Sequence, residues 1–263
     1  MKKGRALPKQ LLVSTVLLVF VALSLDAQQP REGGRGATPR SPKAAAPADL
    51  TGYWVAVIVE DWRYRMLPPE KLTANPTLGA RVSIPMTAEA RKIAMAWDPA
   101  KDEAAGEQCR AYGAPNVMRL PGRFHITWQG EGTLKLETDA GTQTRLFEFG
   151  NATSPEGTWQ GVSRAAWDTL PGGRGGALPS GSLKVVTTGL KPGYLQKNGI
   201  PYSAKTTLTE YYDRIDESPG TSYIVLTTTV EDPVYLTEPY LTSTHFKQEA
   251  DGSGWRPSPC SAR

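Results

Sequence analysis

His125 is the side chain in this sequence best suited to acid–base chemistry, because histidine changes charge near neutral pH. In an extended chain it lies on the opposite side from Phe124, Ile126 and Trp128. If those neighbours fill the hydrophobic side, His125 faces a lumen or a second layer, where it can act as an acid, a base or a ligand-orienting donor. Glu210 is the candidate catalytic partner, but other charged residues fit the spacing equally well, and a structural or solvent-facing histidine is the alternative interpretation.

Three carboxylates and a tyrosine lie close together in the segment EDPVYLTEP, residues 231–239. Paired carboxylates about 5–10 Å apart carry out glycoside hydrolysis when one is protonated and the other ionised. Here the acids flank prolines at a strand end. We therefore interpret Asp232 as an acceptor for turn amides and Pro233 as a residue that ends a strand ladder, which gives the segment a structural role.

Aromatic and cationic side chains alternate in the segment DWRYR, residues 61–65. Arginine and aromatic residues supply directed donors and a large contact area, so we predict that Trp62, Arg63 and Arg65 contribute to ligand recognition. Tyr194 lies in a long connection rich in turn residues and is expected to hang over the mouth of a cavity.

The composition argues against several classes of partner and cofactor. The net charge of +4 arises near the N-terminus, because residues 49–263 carry 22 basic and 24 acidic side chains. A basic domain is the usual signature of nucleic-acid binding, so we expect no nucleic-acid partner. The chain has two cysteines and two histidines. These numbers exclude Cys-rich or His-rich metal sites, and we expect neither a metal nor a cofactor.

Cys109 and Cys260 are the two cysteines of the chain. In an oxidising compartment they can form a disulfide that pins the C-terminal tail. Pairing requires that their Cα atoms approach to within about 7 Å. The sequence does not show whether they do, so free thiols are the alternative.

Three segments between Lys205 and Phe246 predict antiparallel strands. They read KTTLTEYYDR, SYIVLTTTV and PYLTSTHFK, and each shows the period of two and the enrichment in Thr, Tyr, Val and Ile that is typical of strands. The face carrying Thr and Tyr is neither charged like a solvated face nor aliphatic like a sandwich core. We expect it either to line a semi-polar cavity, with Arg145 and Tyr211 in the lining, or simply to face water.

Short strands separated by turns rich in glycine and proline continue through most of the chain. Together with the strand that begins near Trp54, they predict an all-β fold, an antiparallel up-and-down meander of about ten strands that closes into a barrel. One or two short helices are expected near residues 87–98 and 101–108.

The N-terminus has the pattern of a secretory signal peptide over residues 1–27. Basic residues precede the apolar run LLVSTVLLVFVALSL, and cleavage is predicted after Ala27. The run is shorter than the roughly 20 residues of a spanning helix, so we expect a periplasmic or secreted protein with no stable membrane span, an uncleaved anchor being the alternative. Residues 28–48 are predicted to be a disordered tether, 49–247 a single barrel domain and 248–263 a C-terminal tail.

The first strand opens with Gly52-Tyr53-Trp54, which resembles the Gly-x-Trp opening of lipocalin-like (calycin-type) β-barrels. The resemblance implies that Trp54 plugs the closed end of a barrel. The motifs DLTGYWV, EDWRYRM, DAGTQTRLF, LKPGYLQKNGIPYS and VEDPVYLTEPY are also similar to a family of uncharacterised secreted bacterial proteins, which brings no established activity. The helix that usually follows the last lipocalin strand has no counterpart in this sequence.

These observations favour an exported lipocalin-like barrel that binds a small, largely apolar or amphipathic molecule. The first alternative is a cofactor-independent isomerase, cyclase or lyase that uses His125 with a carboxylate, which requires the two groups to meet inside a pocket. The second is a cell-envelope or carbohydrate-surface interaction module, which would present a flat patch of exposed Trp and Tyr. The sequence leaves the oligomeric state open.

Overall fold

Nine strands close into a β-barrel in the computed structural model of this protein, which describes residues 40–58, 65, 71, 84–169, 180–218 and 220–263. The strands are β1 Gly52–Val57, β2 Arg123–Trp128, β3 Thr133–Thr138, β4 Thr144–Phe149, β5 Val162–Thr169, β6 Gly181–Thr188, β7 Gly193–Tyr194, β8 Pro201–Tyr202, β9 Thr207–Ser218, β10 Thr221–Glu231 and β11 Tyr240–Glu249. The order around the barrel is β1-β11-β10-β9-β6-β5-β4-β3-β2, while β7 and β8 pair with each other. The predicted all-β barrel is confirmed.

One strand pair departs from the predicted up-and-down meander. β4 and β5 run parallel, with Phe147 opposite Ser163. Two parallel neighbouring strands need a connection that brings the chain back to the end of the sheet where the first strand began, and residues 150–161 provide it. The carboxylate of Glu148 holds the start of this connection by accepting hydrogen bonds from residues 153–154. The sequence shows the strands and turns here, but strand direction depends on the path of the connection.

The N-terminal end of the barrel, where β1 begins, is covered by part of the segment predicted to be a tether. The carbonyl of Pro42 accepts a hydrogen bond of 2.7 Å from Trp167 Nε1. Ser41 Oγ donates to a carboxylate oxygen of Glu131, also at 2.7 Å. Residues 41 and 42 of that segment therefore contact the strand ends, and the compact unit that contains the barrel extends back to Arg40.

Short helices lie at the opposite end, which we call the helical end. Within the described residues they are α1 Ala88–Ala96, α2 Pro99–Ala104 and α3 Ala114–Val117, with a 3-10 turn at Arg110–Tyr112. Thr87 Oγ1 caps α1 by accepting from Ala90 N at 3.2 Å, and Asp98 caps α2 in the same way. The two predicted helices are present, the second beginning at Pro99. In these parts of the chain, no helix has the length and apolar character needed to cross a bilayer.

Two apolar clusters fill the described fold. The barrel cluster lies inside the strands and includes Trp54, Phe124, Leu136, Phe147, Leu226 and Phe246. The helical cluster lies at the helical end and includes Ile84, Leu195, Tyr202, Leu208, Val230 and Tyr240. Trp54 is fully buried, and its Nε1 donates to the carbonyl of Leu50 at 3.0 Å, which ties the start of β1 to the core.

The C-terminal tail returns along the outside of the barrel and is held by a disulfide between Cys109 and Cys260, whose Cα atoms lie 5.1 Å apart. Ser258 N donates to the carbonyl of Asp139 at 2.9 Å. These contacts attach the tail to residues of the helical end that are far from the tail in sequence.

We predict that replacing both cysteines by serine (C109S/C260S) will lower the free energy of unfolding by roughly 2–5 kcal/mol, because the disulfide closes a long loop in the unfolded chain. Urea unfolding measures this loss. Amide hydrogen exchange should rise most in residues 250–263, and unchanged exchange there would contradict the pinning role.

Asp232 organises the turn between β10 and β11, with Pro233 directly after it. Its carboxylate accepts hydrogen bonds of 2.5 to 3.1 Å from Ser203 N and Oγ, Thr206 Oγ1, Val234 N and Tyr235 N. Burial would raise the pKa of Asp232, but these hydrogen bonds outweigh burial and hold the pKa below its ordinary value. The structural role assigned to Asp232 fits this geometry.

Asp232→Asn should lower the free energy of unfolding by about 2–3 kcal/mol near neutral pH, because an amide nitrogen cannot accept the lost hydrogen bonds. The lowered pKa means that the stabilisation is complete above the unfolded-state value of about 3.9 and is lost as the pH falls through the lower folded-state value. Urea unfolding from neutral to acidic pH should therefore show the two proteins converging in acid. Asp251→Asn, at an exposed position, is the control, and an equal loss in that variant would contradict the assignment.

Candidate functional site

A layer of buried polar side chains crosses the inside of the barrel between the two apolar clusters. We call it the polar belt, and it consists of Arg145, Ser163, Thr187, Glu210, Tyr212, Thr228, Thr242 and Thr244. Its position is clear on β10, where inward-facing Thr228 lies between Leu226 of the barrel cluster and Val230 of the helical cluster. Thr228 lies opposite Glu210 on one side and Thr242 on the other, so the belt is continuous across β9, β10 and β11.

The centre of the belt is an ion pair between Arg145 on β4 and Glu210 on β9. Arg145 Nη1 donates to Glu210 Oε1 at 2.9 Å and Nη2 to Oε2 at 2.5 Å, with side chains 0% and 1% exposed. β5 and β6 separate these strands, so the pair spans the interior. Arg145 Nη2 also donates to Thr187 Oγ1 at 3.3 Å, which shares a hydrogen bond of 2.8 Å with Ser163 Oγ. Tyr212 donates to Glu210 at 3.1 Å.

The electrostatics of the belt favour hydrogen bonding over proton transfer. Burial would lower the pKa of Arg145, but the charge of Glu210 outweighs burial, and the pKa lies above its ordinary value. Burial and the nearby charge of Glu210 raise the pKa of Tyr212 well above 10. Near neutral pH the guanidinium therefore stays charged and the phenol stays neutral, and both act as donors.

Two belt atoms are buried without a hydrogen-bond partner in the part of the chain that the structure describes. They are Arg145 Nε and Thr244 Oγ1. Buried polar atoms in proteins almost always have a partner, from the chain, from water or from a ligand. Each of these atoms can therefore form a hydrogen bond with water or with the polar group of a bound molecule.

The small crevice found in the described barrel lies outside the polar belt, because none of its lining residues belongs to the belt. This crevice, at the helical end, is lined by Val117, Met118, Arg123, Phe124, Thr138 and Phe246. It has room for about one water molecule. A larger molecule could occupy this crevice only by displacing some of these side chains, of which Met118 is unbranched and adaptable.

His125 lies on the outer wall of the barrel, which corrects the expectation that it lines a lumen. Phe124 and Ile126 point inward and are buried, so His125 points outward, where its ring stacks on Tyr53 at 3.9 Å. Burial under this ring lowers the pKa of His125, an effect that Glu137 partly opposes. Since Glu210 faces the interior, the structure does not bring these two candidate catalytic residues together.

The other predicted recognition residues are distributed over different parts of the fold. Tyr211 lies on the outer wall, and the buried Tyr194 donates to Asp102 at 3.2 Å in the helical end. Neither reaches the polar belt. Arg65 is buried and donates from Nε to the carbonyl of Arg119 at 3.0 Å. Trp62 and Arg63 lie outside the described residues.

Arg145 and Glu210 are the two predicted site residues that the structure joins. The hydroxyl groups of the belt were not singled out from the sequence. The available signal was that polar residues interrupt apolar inward positions on neighbouring strands, as Thr228 does between Leu226 and Val230. That signal becomes usable only after the inward face of each strand is known.

Comparison of the chain with protein-family models, with curated proteins and with solved structures found no match. The lipocalin-like resemblance therefore stays a prediction. In the described parts of the chain, no group of three or more metal-ligating side chains comes together.

We predict that Arg145→Met and Glu210→Met will each lower the free energy of unfolding by about 3–5 kcal/mol, because each leaves a buried charge without its partner. The double variant should lose much less than the sum, since both charges are removed together. Urea unfolding of the four proteins measures the coupling. The partly exposed pair Lys135 and Glu137, 2.9 Å apart on the outer wall, is the control and should couple by less than about 1 kcal/mol. Additive losses at Arg145 and Glu210 would contradict the assigned pairing.

Proposed function

We propose that this protein is an exported β-barrel that binds a small, largely apolar molecule and recognises its polar group through the polar belt. The observation that supports this most directly is a set of hydrogen-bonding side chains enclosed by apolar clusters on both sides. Small-molecule sites have this composition, with an apolar lining and a few fixed polar groups. The predicted signal peptide at residues 1–27 supports export.

Stability alone does not account for the belt. Desolvating Arg145 and Glu210 costs several kcal/mol per charge, and their attraction offsets that cost only when the geometry is good. Apolar residues of similar volume at such positions often give a protein that is equally stable or more stable. A binding role supplies one reason for keeping the polar groups in the core, beside the restraint that the ion pair places on strand register.

The belt also indicates the chemistry of the bound molecule. The charge of Arg145 is already neutralised by Glu210, so a second carboxylate would face a buried acid without a new counter-charge. Arg145 Nε is a donor, and Thr244 Oγ1 can donate or accept. We expect a neutral molecule with a carbonyl or hydroxyl oxygen on an otherwise apolar body.

The acid–base alternative receives no support from this geometry. It required His125 to meet a carboxylate inside a pocket, and His125 lies on the outer wall against Tyr53.

The neutral ketone dye 6-propionyl-2-(dimethylamino)naphthalene is a suitable probe, because its carbonyl accepts hydrogen bonds and its emission shifts to the blue in apolar surroundings. We expect the mature protein to bind it. Thr244→Val preserves side-chain shape and removes one hydrogen bond worth about 1 kcal/mol, so it should weaken binding about fivefold to tenfold. Fluorescence titration measures both affinities.

Thr127→Val is the matched control, since Thr127 faces outward on β2 and is partly exposed. It should leave dye binding unchanged. Mass spectrometry of extracts from protein purified from its native cells gives an independent test and should detect a stoichiometric neutral molecule. Absence of both dye binding and a co-purified molecule would overturn the proposal, as would equal effects of the two valine variants.

A further inference from the structure

The outer wall of the barrel formed by β6, β9, β10, β11 and β1 has an unusual composition. At its centre, Thr227 lies opposite Tyr211 and Ser243, while Thr229 lies opposite Thr209 and Leu241. These outward side chains are partly or fully exposed. We call this surface the hydroxyl wall. Hydroxyl and aliphatic groups occupy most of its central outward positions, while Lys184 lies beside Tyr211, and Asp213 and His245 flank Val225 one outward position away.

The opposite wall of the same barrel, formed by β2 to β5, is composed like an ordinary solvated surface. Its outward positions carry the charged residues Arg123, Lys135, Glu137, Arg164 and Asp168. Both walls belong to one closed sheet and have the same strand geometry, so β propensity does not explain why charge is concentrated on one of them. The difference indicates that the hydroxyl wall contacts something other than water.

Exposed apolar side chains point to the same wall. In the described chain the large hydrophobic residues that are exposed are Ile215, Val234 and Leu241, at 46%, 40% and 65%. Two of them, Ile215 on β9 and Leu241 on β11, belong to strands of the hydroxyl wall. No hydrogen bond or ion pair joins Thr209, Thr227 or Thr229 through their side chains to another described segment. Ile215 lies beside Tyr223 and Leu241 beside Thr229, so apolar side chains are exposed near both ends of this wall.

We propose that the hydroxyl wall is the interface of a homodimer, in which it packs face to face against the same wall of a second copy. Strand pairing at an edge is not available to this barrel, because closure leaves no free edge. Face-to-face sheet packing is the remaining mode of β association, with side chains of the two faces interdigitating. A wall with few charges at its centre meets its own copy without like-charge repulsion.

The size of the wall is consistent with this partner. Five strands spaced by about 4.8 Å and about seven residues rising about 3.3 Å each cover roughly 24 Å by 23 Å. Measured along the curved wall this is an area on the order of 550 Å², to which protruding side chains add accessible area. A stable interface uses about 600–1,000 Å² per partner. The hydroxyl wall is therefore close to the lower end of this range, which fits a dimer of moderate affinity.

Sedimentation velocity of the mature protein at about 1–100 µM, which brackets a micromolar Kd, tests the proposal. The wild type should form a species of twice the chain mass as the concentration rises. Leu241→Lys should raise the dissociation constant at least tenfold. This residue is 65% exposed, so the substitution leaves the fold of the protomer intact. Val234→Lys is the matched control, because Val234 is an exposed hydrophobic residue at 40% that lies off the wall in the turn after β10.

A second matched pair, Thr227→Arg and Thr127→Arg, places the same charge at outward mid-strand threonines on the two walls. The first should dissociate the dimer and the second should not. A wild type that stays monomeric over the whole range would overturn the proposal, and so would equal effects of the paired variants. If the wild type stays monomeric and instead co-sediments with insoluble cell-wall polysaccharide, the dimer proposal is overturned. The hydroxyl wall is then a polysaccharide-binding surface.

Discussion

The ion pair between Arg145 and Glu210 places a strict condition on the barrel, because each buried charge is tolerated only while the other lies within hydrogen-bond distance. Arg145 lies on β4, before the connection that returns along the barrel, and Glu210 lies on β9, after it. A shift of either strand by one residue would turn one of these charges to the outer face. The pair therefore favours a single register across β4, β5, β6 and β9, where one neighbouring pair is parallel and connections of eleven or more residues join the strands.

Other contacts restrain the regions that the ion pair does not reach. The carboxylate of Asp232 holds the chain between β10 and β11, and it also ties that turn to Ser203 and Thr206 before β9. The disulfide attaches the tail to the helical end. Residues 41 and 42 contact the N-terminal end through Trp167 and Glu131. Each restraint joins segments distant in sequence, as expected for a barrel built largely from non-local contacts.

Alternation and turn residues predicted the strands and the two main helices, because those patterns are local. Which face of each strand turns toward the barrel interior was not predictable in the same way. On β9, Leu208 and Tyr212 flank Glu210 on one face while Thr209 and Tyr211 occupy the other, and both faces mix polar and apolar groups. Which face turns inward depends on the neighbours that close the barrel. The pairing of Arg145 with Glu210 was not predictable from the sequence either, because 65 residues separate them and only barrel closure brings them together.

Four strands, β6, β9, β10 and β11, supply residues to both surfaces to which we assign a role. On β10, Thr228 faces the polar belt and Thr227 and Thr229 face the hydroxyl wall. Side chains alternate with a period of two, so a register slip of one residue exchanges the two sets. An inward Thr227 would bring Val225 and Thr229 inward with it and expose Leu226 and Val230, which the apolar clusters do not allow. The packing that encloses the polar belt thus also determines which hydroxyl groups the outer wall presents.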